Sequence, residues 1–194
     1  MSNKRHSILP AIDRSGPKPP VDFSPSVVLS DNAILQGTHS IIIQSETVVH
    51  PRARIESSLG SVLIGRRCVL HERSHIGAHP AELSCIRPGG VVLGDYVIVE
   101  VGTVIEAGDT EVGEGTTLQV GCSIGCGAKI GKHCTVSPRS VVAPGENLPD
   151  NTVLYSDGLR RTDNRDVADL RNLGLTKQIA VLQKMIPSNP EKFK

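Results

Sequence analysis

From Val112 the chain divides without interruption into groups of six: VGEGTT, LQVGCS, IGCGAK, IGKHCT, VSPRSV, VAPGEN and LPDNTV. The first position is always aliphatic (Val112, Leu118, Ile124, Ile130, Val136, Val142, Leu148). The second is often small, and the fifth is mostly small, as in Thr116, Cys122, Ala128, Cys134, Ser140 and Thr152. Upstream the frame continues as LGDYVI, VEVGTV and IEAGDT from Leu93, IGRRCV and LHERSH from Ile64, and IQSETV and VHPRAR from Ile43. It holds more loosely as LSDNAI and LQGTHS from Leu29. The frame breaks in three places. Three extra residues separate Ile55 from Ile64, one separates Ile105 from Val112, and the step from Ile76 to Leu93 is seventeen residues. A period of six is neither the helical 3.6 nor a simple alternation, so it belongs to a repeat architecture.

The repeat predicts an all-β fold, a left-handed parallel β-helix. Three hexapeptides make a triangular coil of about 18 residues, and coils stack at the inter-strand spacing of about 4.8 Å. The aliphatic position points inward, the fifth position must be small to fit the corner, and glycine at the second position is expected to help the chain turn. The division expected is a flexible N-terminal arm over residues 1–25, the β-helix over 26–158 with an extruded loop at 79–90, and a C-terminal helix and tail over 159–194. The helix is expected from about Asn164 to Ile186, with Val167, Leu170, Leu173, Ile179, Leu182 and Met185 at helical spacing. Gly174 is expected to divide it and Pro187 to stop it.

Composition narrows the function. Lysine and arginine number 21 against 20 acidic residues, and a net charge of +1 supplies no general attraction to nucleic acid or an anionic membrane. Aromatics are 2% of the chain, which removes the stacking platforms used on single-stranded nucleic acid. Valine and isoleucine together number 37 and favour strands. No run approaches the roughly 18 apolar residues of a membrane span, and the N-terminus carries no apolar stretch of signal-peptide length. The five cysteines are odd in number and contain no CxxC pair, so the expected location is the cytoplasm.

His71-Glu72-Arg73-Ser74-His75 reads HExxH, a zinc-protease motif that requires a helix. Leu70 and Ile76 occupy consecutive inward positions here, so the expectation is exposed coil corners. His79 extends the set to three histidines that could in principle hold a metal. Acyl transfer would need a histidine base, and His50, His71, His75 and His133 are available, none with a recognisable partner carboxylate. Cys122 and Cys134 stand at small inward positions, which points to packing.

Two resemblances follow from the repeat. The scaffold is similar to that of the γ-class carbonic anhydrases, whose zinc is held by three histidines between subunits. Glu114 and Gln119, in VGEGTTLQVGCSIG, stand where two of those histidines would be, and they do not make the imidazole set that tunes a zinc-bound water. The second resemblance is more specific. GDYVIVEVGTVIEAG, VGCSIGCGAKI, PDNTVLYSDGLRR and the helix ending LQKMIP resemble the dynactin subunit 6 family over about residues 26–188, with SETVVHPRARIES in support. That resemblance implies a non-catalytic structural and adaptor role in the pointed-end complex of dynactin, in dynein-driven microtubule transport and early-endosome attachment. It implies pairing with dynactin subunit 5, near the pointed-end actin-related protein and dynactin subunit 4, in the cytoplasm and on the cytoskeleton. No nucleic acid, membrane insertion, cofactor, metal or catalytic residue is expected. The alternative is a hexapeptide-repeat enzyme, γ-carbonic-anhydrase-like or an acyltransferase.

Overall fold

A computed structural model describes residues 16–81, 88–165 and 167–193. The groups of six become short parallel strands on three flat faces. The first face holds β1 (Val21–Phe23), β4 (Ile41–Ile43), β7 (Val62–Ile64), β10 (Val91–Leu93), β13 (Thr110–Val112), β16 (Lys129–Ile130) and β19 (Asn147–Leu148). The second holds β2 (Val28–Leu29), β5 (Val48–Val49), β8 (Val69–Leu70), β11 (Ile98–Val99), β14 (Thr117–Leu118), β17 (Thr135–Val136) and β20 (Thr152–Leu154). The third holds β3 (Ile34–Gly37), β6 (Arg54–Ser57), β9 (His75–Ala78), β12 (Val104–Glu106), β15 (Ser123–Ile124) and β18 (Val141–Val142). The first eighteen strands close about six coils of a left-handed β-helix.

Inward positions stack in register. Leu93 pairs with Ile64 below and Val112 above, Val99 with Leu70 and Leu118, and Ile105 with Ile76 and Ile124. These side chains form one buried cluster running the length of the solenoid. A parallel strand slipped by one residue would turn every aliphatic outward, so this continuous interior fixes the register. The extra residue between Ile105 and Val112 falls in a corner where Gly108 and Asp109 both have positive φ, 118° and 61°, and the pairing of β12 with β9 skips Gly77.

The fifth position does more than avoid collision. Thr116 donates its hydroxyl to the Gly131 carbonyl at 2.9 Å and accepts the Cys134 amide at 3.1 Å, and Thr47 ties Gly65 and Cys68 in the same way. The buried thiols of Cys68, Cys122 and Cys134 donate to the carbonyls of Gly94, Ser137 and Pro149. Each coil is thus linked to the next through its corners, and these interior polar groups are satisfied.

The second-position glycines have a different purpose from the one expected. The left-handed residue of each corner is the fourth: Gly115 has φ 68°, and His133, Arg139 and Asn151 have φ 55°, 58° and 59°. Glycine stands second because coils touch there. A Cβ on Gly113 would lie 2.5 Å from the Gly131 carbonyl carbon.

The N-terminal boundary also differs. The first coil begins at Val21, because β1 pairs with β4 within the stretch expected to be an arm. Residues 1–15 of that stretch lie outside the described residues, as do 82–87 of the loop at 79–90. The loop's flanks join the stack: the Gly89 amide donates to the Leu59 carbonyl and the Ala81 amide to Glu106 Oε1.

After β20 the chain doubles back as β21 (Arg160–Thr162), antiparallel to β20. Helix α1 (Ala168–Met185) then runs unbroken through Gly174 along the second face. Leu175 and Ile179 are buried there against Val28, Val48 and Val69, with Leu182 and Ile186 alongside. The expected apolar stripe is therefore split. Leu182 faces the barrel, whereas Leu170, Leu173, Val181 and Met185 are exposed on the opposite side. Ser188 then bridges Ser30 and its hydroxyl accepts the Leu29 amide, so the tail closes the N-terminal edge of the second face. No helix among the described residues is long and apolar enough to cross a membrane.

Candidate functional site

The corners bring together residues that are about one coil apart in sequence. At the corner leading into the second face, the left-handed residues Glu46, Arg67 and Tyr96 occupy successive coils. The Arg67 guanidinium bonds Glu46 Oε2 at 2.7 Å and the Tyr96 hydroxyl, and its Cζ lies 5.6 Å from the Tyr96 ring centroid. Arg66 forms a two-pronged pair with Asp95 at 2.7 and 3.0 Å. Hydrogen bonding to Arg67 outweighs the small burial of Glu46 and holds its carboxyl below the usual range.

HExxH is no helix. His71 leaves β8 into a turn and His75 opens β9, so the two imidazoles stand on opposite sides of a corner. His71 stacks on His50, one coil below, with ring centroids 4.7 Å apart. Burial lowers both imidazole pKa values, and for His50 the neighbouring His71 lowers it further.

His75 and His79 turn instead to Glu56. Glu56 Oε2 lies 3.0 Å from His75 Nε2, and Oε1 lies 3.2 Å from His79 Nε2 and 3.0 Å from the Ser58 hydroxyl. Arg54 approaches Oε2 at 3.5 Å. Burial raises the Glu56 pKa, but the bonds from His75 and Ser58 and the Arg54 charge outweigh it, so the net shift is downward. The three histidines therefore do not converge, and among the described residues no group of three or more His, Cys, Asp or Glu side chains is arranged to hold a metal ion.

The His75–Glu56 pair is a partner carboxylate that the reading of motifs missed. Its signal was in the frame: Glu56 follows inward Ile55, His75 precedes inward Ile76, and those isoleucines are in register.

Glu114 and Gln119 sit at opposite ends of β14, in different corners. Glu114 faces Lys132 Nζ at 3.6 Å. The thiols of Cys68, Cys122 and Cys134 are pushed up by burial, that of Cys68 to about 12, so they are protonated hydrogen-bond donors and poor nucleophiles.

A cavity of about 380 Å³ lies at the C-terminal end, lined by Val153, Tyr155, Arg161, Thr162, Asp163, Asn164 and Arg165. The β20–β21 hairpin that frames it is built from NTVLY and LRR, the stretches that carry the family resemblance.

These features define the class: a hexapeptide-repeat left-handed β-helix with a helix strapped along one face. A solved hexapeptide transferase family protein from Anaplasma phagocytophilum superposes with a TM-score of 0.71 at 10% identity, covering 88% of this chain and 98% of that one. No family model matches the chain. It is 29% identical to dynactin subunit 6 of Nematostella vectensis over 166 residues, covering 83% of this chain and 85% of the relative. Against dynactin subunit 6 of Xenopus tropicalis it is 27% identical over 173 residues, covering 87% and 82%. These similarities run over most of the chain's length and point to dynactin subunit 6.

Proposed function

We propose that this chain is a non-catalytic structural and adaptor subunit of the pointed-end complex of dynactin. In that reading it serves dynein-driven transport on microtubules and the attachment of cargo such as early endosomes, in the cytoplasm and on the cytoskeleton. It pairs with dynactin subunit 5, beside the pointed-end actin-related protein and dynactin subunit 4. The observation that carries the reading is the similarity to dynactin subunit 6 across more than four-fifths of both chains. Two features support it. Leu170, Leu173, Val181 and Met185 leave large apolar side chains of the helix exposed, available to a partner surface. The thiols are protonated and buried, and Glu114 and Gln119 stand at the positions compared with zinc-binding imidazoles.

The test is to tag the chain in its own cells and weigh what co-purifies. Masses of dynactin subunits in fixed ratio are expected, and a chain that purifies free of them overturns the reading.

A second reading, a hexapeptide-repeat acyltransferase, draws on one observation. His75 Nε2 lies 3.0 Å from a carboxylate, the arrangement of a positioned general base. It predicts acetyl-CoA consumption that His75→Ala abolishes.

A further inference from the structure

The eight-stranded second sheet is engaged at one edge and open at the other. Helix α1 packs on its outer face over β2, β5, β8 and β11, the interior fills its inner face, and Ser188 and Asn189 bond Leu29 at its N-terminal edge. At the C-terminal edge it ends on β21, whose three residues are all exposed.

The phase of the hairpin decides what that edge presents. The Tyr155 amide donates to the Leu159 carbonyl at 2.9 Å and the Asp163 amide to the Asn151 carbonyl at 2.7 Å. Between them Thr152 stands opposite Thr162, Val153 opposite Arg161 and Leu154 opposite Arg160. Bonded and non-bonded positions alternate in an antiparallel pair. Residues 159, 161 and 163 therefore direct their backbone groups to β20, and Arg160 and Thr162 direct theirs outward. An exposed row of amides and carbonyls is a template for one more strand.

The side chains specify its character. Four arginines (160, 161, 165 and 171) gather here, and the nearby carboxylates are already engaged. Arg160 reaches Glu146, and Asp163 is held by Arg165 at 2.8 Å and Arg171 at 3.1 Å. Arg161 borders the 380 Å³ cavity beside Val153 and Tyr155. Leu159, 66% exposed, marks the apolar end of the same hairpin.

We propose that β21 is a strand-addition site: an extended acidic segment of a neighbouring subunit pairs with Arg160–Thr162, placing a carboxylate against Arg161 and an apolar side chain against Tyr155 and Leu159. Main-chain bonds supply the attachment and alternate side chains the selectivity. The inference rests on the reading of the chain as part of an assembly.

Amide hydrogen exchange is measured on the full chain alone and in the complex that its tag retrieves. The expected result is at least tenfold slower exchange at Arg160 and Thr162 in the complex, with Arg161 unchanged because β20 already holds it. A Thr162→Pro variant removes an outward amide that β20 does not use, so it should fold, yet lower partner recovery at least tenfold relative to Thr162→Ala. If proline prevents folding, Arg161→Glu keeps every backbone bond and should weaken recovery similarly. Unchanged exchange in a dynactin complex, or full recovery by these variants, overturns the strand-addition site and leaves the dynactin reading standing. Protection within a complex that lacks dynactin subunits does the reverse, and a chain that purifies alone overturns both.

Discussion

Replacing Ile124 tests the hexapeptide frame where it is most demanding. Its side chain is fully buried, between Ile105 in the coil below and Val142 in the coil above. Ile124→Val deletes one methyl group and should cost about 1 kcal/mol. Ile124→Ala deletes three carbons, worth about 2.4 kcal/mol in transfer at ~0.8 kcal/mol per carbon, and leaves a hole that stacked backbones cannot close; the total should be roughly 3–4 kcal/mol. Ser123, the preceding residue, points outward, so Ser123→Ala should stay within about 0.5 kcal/mol. In urea, with a slope of about 2 kcal/mol per M, Ile124→Ala should lower the midpoint by roughly 1.5–2 M and Ser123→Ala should hardly move it. Equal shifts for the two variants, or a larger one for Ser123→Ala, would refute the inward assignment and with it the frame.

Acid should weaken the fold through its histidines. His50 and His71 have folded pKa values below their ordinary 6.5, so the unfolded chain takes up protons first as pH falls. Their stabilisation is complete above about pH 6.5 and declines below it, and Glu56, held below 4.5, adds a further loss in stronger acid. Thermal melts from pH 7.5 to 5 should slope less for the His50→Gln/His71→Gln double variant; an unchanged slope would contradict this. On α1, Leu170→Glu/Val181→Glu should leave the melting temperature within about 2 °C, because neither side chain is buried, yet reduce recovery of dynactin subunit 5 at least fivefold, read by quantitative pull-down. In Leu175→Glu, by contrast, a charge is buried against Val48 and Val69 and should unfold the helix strap, seen as lost helical circular dichroism. Elemental analysis should find no stoichiometric zinc, and one zinc per chain lost on His75→Ala would sink that expectation.

The interior was legible because one rule repeats: each aliphatic at position one has a twin about eighteen residues away, and Ile105, Ile124 and Val142 stack accordingly. What the frame did not disclose was local geometry. The shared preference for glycine at two corner positions hid two causes, a left-handed backbone at Gly115 and backbone contact between coils at Gly113. Helix α1 has apolar residues on two opposed sides, so spacing alone could not tell Ile179, buried against the barrel, from solvent-facing Leu170. β21 escaped notice because LRRT is three polar residues after one leucine, and only its antiparallel return onto β20 makes it a strand. The His75–Glu56 contact spans nineteen residues and is visible only once coils are laid over one another.

The central claim is that this β-helix works by joining another chain and performs no chemistry of its own. Light scattering on the chain co-expressed with dynactin subunit 5 of the same cell tests it most directly. The account predicts a stable one-to-one complex whose mass is the sum of the two chains. A homotrimer that excludes subunit 5, the assembly in which hexapeptide-repeat enzymes build sites between identical subunits, would contradict it.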